Sequence, residues 1–588
     1  MRTPPWSLAL VLLAACGGSP TPATTPTAAG PRGPAATTVV VRGPDLIPSG
    51  WALNGRAKPV IATHGMVVSG HPLASRVGAD ILKRGGNAID AAVAVGFALA
   101  AVLPDAGNIG GGGFIVYRDS AGAVHALDYR EAAPAGASRD MYVDATGNPT
   151  GKSLKGHLAS GVPGSVAGLY EAWKAHGHLP WRALVAPAIA LAAGHTIDAA
   201  RSREIEGEAE NFSRFPASRR QFLPDGHAPP AGTVWHQPDL ARTLQLIADS
   251  GPDVFYKGQI ADSIVAEMRR GGGLITKPDL ASYHAKWRTP VQLSYRGYTI
   301  VSMPPPSSGG VTMGEIFNIM EGYDTLPAFG STAYVHLEAE AMRRAFRDRN
   351  QYLGDPDFVT MPLERLLSKS YAAQLRAEID PAKASPASIS GALTEGSNTT
   401  HYSVVDGSGA AVAVTTTLND GFGSAVTVSG AGFLLNDEMD DFTAAPGKPN
   451  MYGLVQGEAN AIAPGKRMLS AMTPSIVIDP SGKVWAVVGA PGGPRIITAV
   501  YNVISNLIDR RMSLARAIEA PRVHHQALPD TIYLERGGFS DAVLDSLRAM
   551  GHGVHAWGYH ALVMGIQRLP AGWVGVSDPR TAGGAVGY

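Results

Sequence analysis

The chain changes character at residue 399, and that change limits the folds open to it. "HYSVVD" (401–406) alternates like a half-buried strand, Gly407-Ser408-Gly409 supplies a turn, and "AAVAVTTTL" (410–418) follows as a second strand. Two such runs around a glycine-containing turn form a hairpin. Upstream the pattern is mostly helical. "HPLASRVGADILKRGGNAIDAAVAVGFALAAVLP" (71–104) spaces its apolar residues at the helical period and breaks at Gly85-Gly86, and "AYVHLEAEAMRRAFRDRNQYLG" (333–354) is another amphipathic helix. Later, "KVWAVVGAPGGPRIITAVYNVISNLI" (483–508) runs strand, glycine-rich turn, helix, with Pro494 just inside the helix start. Strands and helices on both sides of residue 399 predict a layered α+β fold.

The 588 residues suffice for one large domain or two smaller ones. Lys plus Arg and Asp plus Glu both number 49, so no charge excess points to nucleic acid or another polyanion as partner. The 70 glycines imply many tight turns and close backbone approaches. A single cysteine, Cys16, excludes an intrachain disulfide and a thiolate metal site. His524-His525 is the only adjacent histidine pair, and neighbours on a strand point to opposite faces, so no metal site is expected.

Cys16 has a context of its own. Arg2 precedes an apolar run from Leu8 to Ala15, too short to span a bilayer but suited to a secretory signal. Leu13-Ala14-Ala15-Cys16 resembles a bacterial lipobox, which implies that residues 1–16 form a lipoprotein-type signal and that Cys16 is lipidated after cleavage. The alternative is an ordinary signal peptide cut nearby. Several acyl chains anchor firmly where one does not, and membrane association is expected only through that anchor. Gly17 rather than an aspartate after the cysteine favours the outer membrane, by resemblance to lipoprotein sorting signals. Residues 17–56, rich in Pro, Ala and Thr over 17–42, are expected to be a disordered tether.

The residues just before the hairpin raise a chemical question. A threonine hydroxyl is a poor nucleophile and needs an adjacent base; a free α-amino group, with a pKa near 8, is one. Thr399 could use its own amino group only after a cut between Asn398 and Thr399. The same hydroxyl could make that cut by attacking the preceding carbonyl, giving an ester that water hydrolyses. Taken alone, Asn-Thr-Thr is an ordinary turn and strand start.

Its surroundings carry more. "GSNTTHYSVVD" running into "AVAVTTTLNDGFGS" resembles the start of the small subunit of the γ-glutamyltransferase (γ-glutamyltranspeptidase) family. The resemblance continues through "GGNAIDAAVAVGFALAAVLPDAGNIGGGGF" (85–114), "LDYREAAPA" (127–135), "GVPGSVAG" (161–168), "MPPPSSGG" (303–310), "YLGDPDF" (352–358), "NDEMDDF" (436–442), "APGGPRII" (490–497) and "SDPR" (577–580). It implies the four-layer αββα sandwich of the N-terminal nucleophile hydrolases. It also implies autocleavage into a large subunit, residues 57–398, and a small subunit, residues 399–588, that stay associated as a heterodimer around one core.

The resemblance also assigns roles. Thr399 is the nucleophile, and Thr417 hydrogen-bonds and activates it. Arg130 binds the α-carboxylate of a γ-glutamyl donor such as glutathione, a task that suits a planar guanidinium. Glu438 and Asp441 bind its α-ammonium, and Asn419 contacts the same end. Such a zwitterionic end needs a cation on one side of the pocket and anions on the other. Residues 415, 417 and 419 alternate onto one strand face, so Thr417 and Asn419 are expected to look into one pocket. Gly492 and Gly493 form the oxyanion hole, with two backbone N–H groups at a helix start. Residues 444–457 match a lid loop whose aromatic is Tyr452. Where family members commonly carry two serines that hold the carboxylate, this chain has Ser470-Ala471, one hydroxyl fewer.

The expected reaction is ping-pong transfer of the γ-glutamyl group to water, an amino acid or a dipeptide, with no metal or organic cofactor. Two other readings stand beside it. One is a related acylase for glutaryl-type or poly-γ-glutamyl amides, which Ala471 favours and the retained acids oppose. The other is an unprocessed, surface-tethered binding protein that keeps the fold without the activity.

Overall fold

The computed structural model describes residues 47–386, 399–445, 447–559 and 561–588. Its centre is a pair of seven-stranded antiparallel sheets. The first runs, in spatial order, Gly584–Gly587, Met66–Ser69, Thr399–Val405, Ala411–Thr417, Gly112–Arg118, Val124–Asp128 and Lys286–Arg288. The second runs Val60–Ala62, Gly572–Ser577, Met564–Leu569, Val484–Gly489, Ser475–Ile478, Tyr298–Ser302 and Val291–Tyr295.

Side-chain alternation along the predicted hairpin creates the layers. Tyr402, Val404, Val412 and Val414 point away from the second sheet and pack with Val67, Ile115 and Leu127 under the helices Pro72–Lys83, Ala88–Val102, Trp181–Ala193 and Pro238–Ser250. Val405, Ala411 and Ala413 point the other way, into a core shared with the second sheet and the helices Gly309–Glu321, Thr332–Tyr352 and Arg495–Ile508. The order helix, sheet, sheet, helix is the expected αββα sandwich. Because the period of a strand is two, Thr399, His401, Thr415 and Thr417 all fall on the face between the sheets.

Ala88–Val102 shows why the sequence folds this way locally. Nearly every residue is small and apolar, and the whole helix is buried. Asn87 and Asp90 form a reciprocal capping box at its start, and Asp90 also accepts from the backbone of His178 and Leu179.

The tether ends earlier than expected. Residues 47–56 are part of the folded body: Ile47, Trp51 and Leu53 are buried against Val335, Ala520 and Leu534, and Trp51 Nε1 donates to the Glu519 carbonyl at 2.6 Å. Three apolar residues without helix or strand period, set among glycine and proline, gave no sequence signal for this packing. Residues 17–46 of the expected tether, the expected signal peptide with Cys16, and Asn398 lie outside the described residues.

Candidate active site

Thr399 opens its strand directly opposite Thr417 in the hairpin register. Thr399 Oγ1 donates to Thr417 Oγ1 at 3.2 Å, and the Asn419 N–H donates to the same Thr417 oxygen at 2.9 Å. The next pair along the hairpin anchors the strands: His401 Nδ1 and Thr415 Oγ1 are 2.9 Å apart, and His401 Nε2 meets Ser403 Oγ at 3.0 Å. Burial lowers the His401 pKa to about 3, so this imidazole is neutral at physiological pH.

Asn419 reaches the site by a different route from the one expected. The strand stops at Thr417, and Asn419 has a left-handed backbone with φ of 85°. Asparagine tolerates that conformation better than most residues. Its Nδ2 donates to the Asp437 carbonyl, and its own carbonyl accepts from the Tyr452 hydroxyl at 3.0 Å. A turn therefore brings it to the cleft, where strand alternation was predicted to do so.

Gly492 and Gly493 follow the strand Val484–Gly489 and precede the helix Arg495–Ile508, whose first residue comes just after Pro494. Their φ values of 136° and 57° suit glycine. At Gly493 a Cβ would stand 2.9 Å from the Tyr452 ring, so that ring lies directly on this backbone. Among the described residues, neither glycine N–H donates to a backbone carbonyl. Gln526 Nε2 donates to the Tyr452 carbonyl at 3.0 Å.

Thr399, Thr417, Asn419, Gly493, Tyr452, Ser470, Ala471, Arg130 and Asp441 line one narrow cleft. Its cavity volume is about 20 Å³, room for roughly one water. Charge fills much of the rest. Arg130 is fully buried; its Nε donates to the Met468 carbonyl, Nη1 lies 2.5 Å from Glu438 and 3.5 Å from Glu131, and Nη2 bonds Asp441. The expectation of a cation on one side and anions on the other is corrected here, because cation and anions touch. A buried guanidinium without ligand must find carboxylates to offset its lost hydration.

Arg130 Nη1 meets Glu438 and Glu131 as ion-pair partners without hydrogen-bond geometry. Burial, only partly offset by the Arg130 charge, pushes the pKa values of Glu131, Glu438 and Asp441 up. The Arg130 pKa is also raised: burial opposes its charge, but Glu438, Asp441 and Glu131 outweigh it.

Ser470 is held by the segment "PPPSSGG". Its N–H donates to the Pro306 carbonyl at 2.8 Å, and its carbonyl accepts from both the Ser308 N–H and Ser308 Oγ at 2.7 Å. Ala471 presents a methyl group to the cleft where a serine would present a hydroxyl. The structure adds lining residues that sequence reasoning missed, and Arg349 is the charged one among them. It sits in "RDRNQYLGDPDF", just before "YLGDPDF"; Arg344 of the same helix is also buried but paired with Glu340, whereas Arg349 is buried with neutral partners. A second group not anticipated gathers His336, Glu340 and His552, but His336 Nδ1 and His552 Nε2 are hydrogen-bonded at 2.7 Å and Glu340 is paired with Arg344.

Comparison with known proteins settles the family. A family model described as gamma-glutamyltranspeptidase matches residues 74–588. The chain belongs to the gamma-glutamyltranspeptidase family. Within it, the glutathione hydrolase proenzyme of Escherichia coli K12 is 48% identical over 532 residues, covering 89% of this chain and 91% of that one. The acylase ACY 1 proenzyme of a Pseudomonas strain (SE83) is 40% identical, covering 84% and 88%. Among solved structures, cephalosporin acylase from Bacillus halodurans superposes with a TM-score of 0.80 at 29% identity, covering 90% of this chain and 97% of that one. The gamma-glutamyltranspeptidase fold is thus the N-terminal nucleophile hydrolase sandwich, and the chain is an enzyme of this family.

Proposed function

We propose that the chain cuts itself between Asn398 and Thr399 and that Thr399 then transfers γ-glutamyl groups from glutathione or related donors. The observation that carries this reading is the Thr399–Thr417 hydroxyl pair, in one cleft with Gly493 and the Arg130 charge cluster. Thr399 Oγ attacks the γ-carbonyl while its new α-amino group takes the hydroxyl proton. The Gly492 and Gly493 N–H groups stabilise the oxyanion. The C–N bond breaks, the amine leaves with the proton, and a γ-glutamyl ester remains on Thr399. Water hydrolyses the ester, or an amino acid or dipeptide takes the acyl group.

Donor binding asks Arg130, Glu438 and Asp441 to exchange partners. The substrate carboxylate displaces the acids from the guanidinium, and the substrate ammonium satisfies the displaced acids. Tyr452 must lift for entry, since the closed cleft holds about one water. After closure it shields the acyl group from bulk solvent while leaving room for about one water.

Release of chromophore from a γ-glutamyl anilide, compared between wild type and Thr399→Ala, tests the reading. Activity and a two-chain pattern on a denaturing gel, both lost in the variant, support it. An inactive wild type, or an active uncut chain, overturns it. The acylase relatives and the methyl group of Ala471 favour a second reading, hydrolysis of glutaryl-type amides; preference for a glutaryl anilide over the γ-glutamyl one would establish it. Export and anchoring through a lipid on Cys16 complete the proposal, and the mass of the mature N-terminal peptide tests them. Among the described residues, no helix is long and apolar enough to cross a membrane.

A further inference from the structure

Arg349 is a buried guanidinium without a carboxylate partner. Its residue is 1% exposed and sits on the helix Thr332–Tyr352, and the cleft that holds Thr399 is the cavity it lines. Nε donates to Ser308 Oγ at 3.1 Å, and Nη1 donates to Asn350 Oδ1 at 3.0 Å and Gln456 Oε1 at 2.8 Å. Every one of these acceptors is neutral. Among the described residues no carboxylate comes within ion-pair distance of Arg349, and Nη2 has no hydrogen-bond partner. Burial lowers its pKa to about 10, against a weaker attraction from Asp441. A fully desolvated cation with an open donor is costly unless an anion arrives.

The neighbours of Arg349 say which end of a donor it meets. Ser308 Oγ, which accepts from its Nε, itself donates to the Ser470 carbonyl. Gln456, which accepts from its Nη1, donates through Nε2 to the Asp441 carbonyl at 3.3 Å. Arg349 is therefore tied by one intermediate side chain to Ser470 and by another to Asp441. Arg130, by contrast, has its donor groups turned to Met468, Glu438, Glu131 and Asp441. Beside Ser470, Ala471 presents a methyl group to the cleft.

Resting on the functional reading above, we propose that Arg349 is a second cation for the donor's α-carboxylate, acting with Arg130 and taking the place of the hydroxyl that Ala471 lacks. It is a specificity-determining residue, with Nη2 as the contact. Gln456 and Ser308 hold the guanidinium in place.

The test uses two donors, a γ-glutamyl anilide and the same compound with its α-carboxylate converted to the carboxamide, on cleaved wild type, Arg349→Met and Arg349→Lys. For the carboxylate donor, Arg349→Met is expected to raise KM about tenfold and change kcat by less than about threefold, the mark of lost ground-state binding. For the carboxamide donor it is expected to change KM little, and Arg349→Lys recovers part of the loss. Should the carboxamide turn over too slowly, both compounds are compared as competitive inhibitors. Equal losses on both donors, or an unchanged KM on the carboxylate donor, would overturn the assignment. If Arg349→Met does not fold, the same comparison is read on Arg349→Lys, with an expected KM rise of about threefold confined to the carboxylate donor. A wild type inactive on the γ-glutamyl donor would refute the functional reading itself, an outcome distinct from these.

Discussion

Two of the buried charge clusters among the described residues are built on opposite plans. One joins Arg522 and Arg580 with Asp578 and Glu535, two cations with two anions, all buried. Arg522 also reaches the Ala561 and Ile518 carbonyls, Arg580 those of Ile518 and Ala520, and the Val563 N–H caps Asp578. The Asp578 pKa is lowered overall: burial raises it, but Arg522 and Arg580 outweigh that. The other cluster gives Arg130 three carboxylates, an excess of negative charge, and raises all three pKa values. Balanced charge whose donors are nearly all paired, with Arg522 Nε the exception, fixes a structure. An excess of buried carboxylates suits a ligand of the missing sign, and the proposed donor's ammonium would supply it.

Breaking the balanced cluster has the largest expected effect. Asp578→Asn leaves two buried guanidiniums short of an anion and is expected to destabilise the fold by about 3–5 kcal/mol, read by urea unfolding. Activity per folded molecule should hardly move. Breaking the unbalanced cluster reverses the pattern. Asp441→Asn still leaves Arg130 two carboxylates, so the melting temperature should stay within a few degrees, while kcat/KM for a γ-glutamyl donor falls on the order of a hundredfold. If Asp441→Asn melts early and Asp578→Asn kills activity in folded protein, the distinction is wrong.

A buried group that carries no charge sharpens the contrast. His401 has its folded-state pKa near 3, below the unfolded value of about 6.5. Its contribution to stability is complete above pH 6.5 and is lost as pH falls toward 3, because the unfolded chain takes up the proton first. Between pH 6.5 and 5 the loss is expected to be about 2 kcal/mol, and His401→Gln should flatten that slope in unfolding curves taken at each pH. The smallest effect is expected from Ala471→Ser. A restored hydroxyl at the cleft should lower donor KM severalfold, worth about 1 kcal/mol, with no change in melting temperature.

The fold was largely legible because it rests on periodicity. The hairpin at 401–418, the helices around Gly85-Gly86 and the strand–turn–helix at 483–508 all declare themselves by spacing, and the structure has each of them. The site was legible through motifs, and the cleft gathers Thr399, Thr417, Asn419, Gly493, Arg130, Asp441, Ser470 and Tyr452. Partnership was not legible. "SDPR" and "DYRE" look alike as strings, yet one saturates its arginine and the other crowds it with acids, because the partners come from distant segments. Arg349 escaped for the same reason: a lone unpaired cation is recognised only once its surroundings are known. Trp51 escaped because a few apolar residues that dock without period resemble a linker.

The first sheet has one more consequence. Its edge strand Gly584–Gly587 pairs with Met66–Ser69, which pairs with Thr399–Val405, whose hairpin partner Ala411–Thr417 pairs with Gly112–Arg118. Cut the chain at 398 and those strands belong, in turn, to the second piece, the first, the second twice, and the first. The two pieces would be woven, like warp through weft. Dilution could not part them, no dissociation constant short of unfolding would describe them, and neither could be made alone and added later. The scission would change which atom ends the chain and leave the fabric whole.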